Sequence, residues 1–212
     1  MPKGPVIGPL VIAGALVDSH GLRRLKEIGV RDSKQLTRTK RELLAPQIRE
    51  IALKTTIIEI QPKEIDAIVQ RAKRLFKLNY LEAKVMGQII TTLKPSIAYV
   101  DASDVSAERF ASNMSEQIPF KVRIIAEHKA DSKYIIVGAA SILAKTVRDQ
   151  RIDEISSKFG DLGSGYPNDP KTRKFLKDWL AKHDNYPEFV RKSWKTARRI
   201  LDEVRVRQTS LL

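Results

Sequence analysis

Residues 6–17, Val6-Ile7-Gly8-Pro9-Leu10-Val11-Ile12-Ala13-Gly14-Ala15-Leu16-Val17, are apolar on both alternating sets of positions. That pattern reads as a turn feeding a strand buried on two faces. Further on, Asp32-Ser33-Lys34-Gln35-Leu36-Thr37 supplies helix-starting side chains, and apolar positions then recur at helical spacing from Leu43 through Ile48 to Ile51. Pro46 within that stretch predicts a break or kink, because proline lacks an amide and its ring crowds the preceding turn. The β-branched run Thr55-Thr56-Ile57-Ile58-Glu59-Ile60 predicts a second strand, and Pro62-Lys63-Glu64-Ile65-Asp66 opens a short helix.

The spacing of Leu81, Val85, Ile89 and Ile90 predicts a helix over residues 78–93, ended by Pro95. A third strand, Ile97-Ala98-Tyr99-Val100, runs into Asp101. A helix over residues 107–114 separates it from a fourth strand, Val122-Arg123-Ile124-Ile125-Ala126, which is followed by Glu127-His128-Lys129-Ala130-Asp131. The next helix carries Gly138-Ala139-Ala140-Ser141, small enough for close approach to a sheet, and continues through Leu143, Val147, Ile152 and Ile155. Residues 171–207 read as helical throughout. Strands alternating with helices place the chain in the α/β class. Residues 1–160 form the main domain, and residues 161–212 a helical C-terminal extension of the same compact unit.

Charge adds an anionic partner to this picture. Thirty-nine Lys and Arg face 25 Asp and Glu, a net charge of +14 over 212 residues, which points to nucleic acid or a membrane surface. About half of the excess lies in residues 171–207, interleaved with Phe175, Trp179, Tyr186, Phe189 and Trp194. Those aromatics read as packing on the main domain, and part of the basic set as tracking phosphates. The absence of cysteine excludes disulfides and thiolate metal sites, and the apolar runs are too short to span a bilayer. A cytoplasmic protein without a membrane partner follows, and residues 1–14 lack the pattern of a signal peptide.

Asp101 and Asp131 each follow an apolar strand, and the carboxyl ends of strands in an open α/β sheet are where ligands and metal ions gather. Two carboxylates there suit a hard divalent cation, Mg²⁺ or Mn²⁺, of the kind that promotes phosphodiester hydrolysis. Taken singly, an Asp after a strand is more often a helix cap than a ligand. Asp104 and Glu127 compete with them on spacing, and His128 reads as structural although it could act as a base. Tyr166, at the centre of Gly163-Ser164-Gly165-Tyr166-Pro167-Asn168-Asp169-Pro170, is either a stacking surface for a sugar or base or a buried loop anchor. Gly4, in Lys3-Gly4-Pro5, would let backbone approach a phosphate or sugar hydroxyl.

Together these segments resemble ribonuclease HII, of the archaeal type. The resemblance is carried by Gly4-Pro5-Val6-Ile7-Gly8-Pro9, Asp32-Ser33-Lys34-Gln35-Leu36, Tyr99-Val100-Asp101-Ala102 and Glu127-His128-Lys129-Ala130-Asp131-Ser132-Lys133-Tyr134. It continues through Ala139-Ala140-Ser141-Ile142-Leu143-Ala144-Lys145, Gly163-Ser164-Gly165-Tyr166-Pro167 and Ser193-Trp194-Lys195-Thr196. It implies an RNase H-like mixed sheet flanked by helices, and cleavage on the 5′ side of a ribonucleotide in an RNA/DNA hybrid or a mostly DNA duplex. The ends would be 3′-hydroxyl and 5′-phosphate, in ribonucleotide excision or primer removal during DNA replication and repair. It also implies Mg²⁺ or Mn²⁺ held by carboxylates that include Asp101 and Asp131, with Tyr166 stacking under the sugar. Lys34 would lie near the nucleic-acid backbone, and Lys3 and Gly4 would belong to the motif that reads the 2′-hydroxyl.

The family's first motif, Asp-Glu-Ala-Gly-Arg-Gly, aligns its last glycine with Gly4, which puts Lys3 at the arginine, Pro2 at the first glycine and Met1 at the alanine. Both acids of that motif would then precede residue 1, along with the central first strand. The expectation is therefore a shortened form of a longer protein, with a degenerate, non-catalytic hybrid binder as the alternative. A basic structural or ribosome-associated protein would explain the charge but not the ordered motifs. The chain is expected to be a monomer. Its C-terminal Gln208-Thr209-Ser210-Leu211-Leu212 has a faint likeness to a tail that binds a sliding clamp, although it reads as a frayed end.

Overall fold

The computed structural model describes residues 4–30, 35–71 and 77–209, so Lys3 and Lys34 lie outside the described residues. Two compact units emerge, one comprising Met1–Leu10, Ile60–Lys73 and Arg148–Leu212, the other Val11–Glu59 and Arg74–Val147.

In the second of these, strands β1 (Leu10–Leu16) and β2 (Lys54–Ile60) form one two-stranded sheet. Strands β3 (Ile97–Asp101) and β4 (Arg123–Glu127) form another, paired in parallel from Ile97 opposite Arg123 to Asp101 opposite Glu127. Helices flank these strands, as expected for an α/β chain. Helix α1 (Ser19–Glu27) starts where the Asp18 carboxylate accepts the Gly21 amide at 2.7 Å. The apolar pattern did not single it out, since only Gly21 and Leu25 of its nine residues are buried. Helix α2 (Arg38–Ile51) is capped by the Thr37 hydroxyl, which accepts the Lys40 amide at 3.2 Å.

Of the break or kink expected at Pro46, the break does not occur; α2 runs through it. Leu44, Ala45, Ile48 and Ile51 on that helix are buried in a core with Leu25, Val30, Leu36, Ala139, Ile142 and Leu143. Burial of each large apolar side chain contributes roughly 1.5–3 kcal/mol, enough in sum to offset the roughly 3 kcal/mol cost of an interior proline.

A second core gathers Ala83 and Ile90 of α4 (Lys77–Leu93), Ala98 and Val100 of β3, and Phe110 and Met114 of α5 (Ala107–Ser115). Gly87 lets α4 and α5 approach, because a Cβ there would sit 2.8 Å from both the Met114 carbonyl oxygen and the Gln117 Cβ. The Thr91 hydroxyl, within hydrogen-bond distance of the Gly87 and Gln117 carbonyl oxygens at 2.9 and 3.2 Å, marks the same contact. Gly87→Ala gains up to ~1 kcal/mol of helix propensity but must displace backbone, at about 1–3 kcal/mol. The expected outcome is a net loss of stability in urea titration, even though an exposed helical glycine changed to alanine would gain.

In the other unit, α3 (Pro62–Arg71), α8 (Pro170–Leu180) and α9 (Lys195–Thr209) accompany the C-terminal part of α7 (Ile135–Phe159). Residues 171–207 are therefore not one continuous helix. The chain between α8 and α9 leaves the helix to form an antiparallel bridge between Val190 and Ile7. Tyr186 and Trp194 are 5% and 2% exposed, so these two aromatics are core, as the packing reading expects. Phe159, Phe175, Trp179 and Phe189 pack on one another, with Trp179 stacked on His183 at 4.2 Å. Several of the basic residues have acidic partners: Lys171 with Asp161, Lys174 with Asp178, and Lys177 and Arg199 with Glu203. None of the described helices is long and apolar enough to cross a membrane.

Candidate metal centre and nucleic-acid elements

The carboxyl ends of β3 and β4 lie side by side because the parallel register places Asp101 opposite Glu127, and the Ala102 amide adds one more bond to the Glu127 carbonyl at 2.9 Å. After β4 the chain must reverse within two residues. Lys129 takes a left-handed conformation, φ +58°, and delivers the chain into the one-turn helix α6 (Ala130–Lys133). Lys129 itself offers α6 no side-chain cap. The acceptor comes from the neighbouring strand instead, as Asp101 Oδ1 takes the Ala130 amide at 3.0 Å. Asp131, 5% exposed, occupies the next position. The two carboxylates predicted to act together are thus brought to a single turn.

The competing acids are engaged elsewhere. Asp104, 3% exposed, receives Nε and Nη2 of Arg109 and the Ser106 amide. Burial pushes its pKa up, but the Arg109 and Ser106 hydrogen bonds outweigh that and leave it below the usual carboxylate value. Glu127 accepts the Lys133 ammonium and, at 2.8 Å, the Tyr134 hydroxyl, and these two donors hold its pKa down. Accepting that hydroxyl in turn raises the pKa of Tyr134. His128 sits with Nδ1 3.2 Å from the Ala102 carbonyl and Nε2 3.3 Å from that of Val105, a position that ties down the loop after β3.

A depressed carboxyl pKa adds stability above the unfolded value, 3.8 for Asp, and loses it as pH falls through that value toward the folded one. Asp104→Asn is therefore expected to cost roughly 1–2 kcal/mol near neutrality, with the difference from the parent shrinking in acid. Urea titrations across the acid range check it.

Among the described residues no group of three or more His, Asp or Glu is arranged to hold a metal. Asp101 and Asp131 supply carboxylate oxygens on adjoining backbone. That is the donor chemistry a hard divalent cation takes, and like charges so placed gain from a cation between them.

The other unit carries Gly4 and Tyr166. Gly4 has φ +135°, and residues 5–8 are stitched into their surroundings by backbone. Val6 and Ile7 both donate to the Gly165 carbonyl at 2.7 and 3.2 Å, Gly8 donates to Phe189, and Arg191 donates to Val6. The segment after Gly4 and the loop bearing Tyr166 are therefore one hydrogen-bonded body. That loop turns at Gly163 and Gly165, φ +65° and +76°. Asp169 accepts the Ser164 amide at 2.6 Å, and the Thr172 hydroxyl oxygen accepts the Gly165 amide at 3.0 Å. Tyr166 is 39% exposed, which removes the buried-anchor reading.

Two buried charged residues outside the sequence expectations, Arg191 and Asp66, bear on the segment after Gly4. Arg191, 1% exposed, donates to the Gly8 and Pro9 carbonyls at 3.0 and 2.7 Å and lies over the Trp194 ring at 4.9 Å. Asp66, 8% exposed, accepts the Lys192 and Ser193 amides at 2.8 and 2.9 Å and the Ser193 hydroxyl. They brace the loop that supports residues 5–9, and nothing local in the sequence distinguishes them from surface charges.

Comparison with known proteins converges on one family. The family model described as Ribonuclease HII matches residues 2–197. A ribonuclease HII of Pyrococcus abyssi is 43% identical over 211 residues, covering 99% of this chain and 92% of that protein. Among solved structures, ribonuclease H2 from Pyrococcus horikoshii OT3 superposes with a TM-score of 0.86 at 42% identity, covering 97% of this chain and 95% of that one. The ribonuclease HII of Archaeoglobus fulgidus, solved as a complex with PCNA, gives 0.83 at 42% identity, with 96% of each chain covered.

Proposed function

The chain belongs to the ribonuclease HII family and is a metal-dependent endoribonuclease, and we propose that it cleaves 5′ to a ribonucleotide in an RNA/DNA hybrid or mostly DNA duplex, leaving 3′-hydroxyl and 5′-phosphate ends. The observation that carries this reading is the convergence of Asp101 and Asp131 on one turn at the carboxyl ends of β3 and β4, while Asp104 and Glu127 are committed to Arg109 and to Lys133 with Tyr134.

Asp101 and Asp131 would hold Mg²⁺ or Mn²⁺. A divalent cation in such a site supplies activation of the attacking water and stabilisation of charge on the phosphate and leaving oxygen. The rest falls to the chain's own residues. Asp101 keeps α6 in place through Ala130, which fixes where Asp131 presents its carboxylate. Tyr166 offers a partly exposed side chain to the sugar of the ribonucleotide, and Gly4, with no side chain of its own, would let backbone approach its 2′-hydroxyl. Lys3 and Lys34 extend the contacts to the substrate, supported by the strongly basic composition.

The test is a duplex with one ribonucleotide in an otherwise DNA strand, end-labelled on that strand. Cleavage at the bond on its 5′ side with Mg²⁺ or Mn²⁺, none with chelator, and none of an all-DNA duplex is the expected result. Binding without cleavage in any divalent metal would identify a hybrid binder instead. The Archaeoglobus fulgidus protein was solved with PCNA, which supports a sliding clamp as a partner of this chain. Co-elution with a clamp in size-exclusion chromatography checks it, and separate elution would remove it.

A further inference from the structure

Arg148 lies under the ring on which the proposed substrate contact depends. Its guanidinium carbon is 4.6 Å from the centre of the Tyr166 ring, within cation–π distance. Its Nε and Nη2 both donate to Asp149 Oδ1, at 3.0 and 2.5 Å. The Arg148 and Asp149 side chains are 15% and 7% exposed, whereas Tyr166 keeps 39%. An arginine whose only task was to attract phosphates would extend into water, where its head group is solvated. This one is folded inward, its charge matched by a buried carboxylate and its plane fixed by two hydrogen bonds to one oxygen.

One face of the Tyr166 ring is therefore backed by a cation that is itself held in place, while Tyr166 stays 39% exposed. The hydrogen bonds of the loop hold its backbone, at Ser164, Gly165 and Tyr166, whereas the guanidinium lies against the ring itself. A stacking ring with free torsions loses rotational freedom on binding, and a ring already held loses less.

We infer that Arg148, locked by Asp149, is a positioning residue for Tyr166: it holds the ring so that the opposite face meets the sugar, and it thereby contributes to discrimination of a ribonucleotide site from plain DNA. This rests on the reading of Tyr166 as the sugar-stacking residue. A direct contact between Arg148 and a phosphate is the competing account, and it would not need the ring.

A double-mutant cycle separates the two. Dissociation constants are measured in chelator, so that no cleavage occurs, for a duplex with one ribonucleotide and for the all-DNA duplex of the same sequence. The proteins are the parent, Arg148→Gln, Tyr166→Ala and the double variant. Arg148→Gln is expected to weaken binding of the ribonucleotide duplex about fivefold to tenfold and of the DNA duplex less than about twofold. In the Tyr166→Ala background the same change is expected to cost less than about twofold. Arg148→Lys, which keeps a cation over the ring, is expected to recover most of the loss. Equal losses in both backgrounds, no loss from Arg148→Gln, or a Lys variant as impaired as the Gln variant would each overturn the inference. If Tyr166→Ala alone leaves ribonucleotide binding unchanged, it is the Tyr166 reading that falls, and this result is distinct from the others.

Discussion

Asp131→Asn is expected to lower hybrid cleavage by at least about a hundredfold, with hybrid binding in chelator unchanged within about twofold, because metal-assisted stabilisation of transition-state charge amounts to several kcal/mol. Asparagine matches aspartate in shape, so the 5% exposed site is not emptied, but its amide replaces one carboxylate oxygen and the negative charge goes. Asp101→Asn is expected to behave alike in activity. Its remaining oxygen can still accept the Ala130 amide, so α6 keeps its start. By contrast, Asp104→Asn and Glu127→Gln are expected to keep most of the activity, since their carboxylates serve Arg109 and the Lys133–Tyr134 pair. Single-turnover cleavage of the one-ribonucleotide duplex by the four variants ranks the acids directly. Equal losses for all four would mean that the carboxylates act as a field rather than as two ligands.

The largest expected loss of stability is at Asp66. It accepts three hydrogen bonds, two of them from the amides of Lys192 and Ser193, in a position 8% exposed. Asp66→Ala leaves those donors without an acceptor, at about 1–3 kcal/mol for each buried group, so a total near 3 kcal/mol is expected after partial relaxation. For a chain of this size that corresponds to a fall in Tm of roughly 6–12 °C. Ser193→Ala, which removes only the hydroxyl donor, is expected to cost about 1 kcal/mol. A melt of Asp66→Ala within a degree or two of the parent would show that water replaces the carboxylate and that the brace contributes little.

The two kinds of residue differ in how visible they are from sequence. Asp101 and Asp131 can be proposed from sequence because Asp101 closes the apolar run of β3 and Asp131 follows β4 at the start of α6, and strand ends in α/β chains converge. Tyr166 is legible because glycines on either side of Ser164 and a following proline force a turn, which leaves an aromatic at its tip. Spacing alone does not separate Asp101 and Asp131 from Asp104 and Glu127; the proposal to do so draws on Arg109 folding back on Asp104 and on Lys133 and Tyr134 folding back on Glu127. Asp66 was invisible for a stronger reason. Its partners are 126 and 127 residues away, and on its own helix it looks like any polar position. Arg191 reaches 183 residues back to Gly8, and this long-range brace also explains why the stretch between α8 and α9 leaves the helix that its charged, amphipathic pattern predicted. At Pro46 the helix stays unbroken against the local rule, held by burial of the apolar face around it.

The central claim is that Asp101 and Asp131 hold the metal. Mn²⁺ binding to the protein alone, followed by the loss of the free-ion electron paramagnetic resonance signal, tests it without reference to turnover. The account predicts that Asp101→Asn and Asp131→Asn each weaken Mn²⁺ binding by about tenfold or more, while Asp104→Asn leaves it within about twofold. Mn²⁺ bound as tightly by both the Asp101 and the Asp131 variants as by the parent would contradict it.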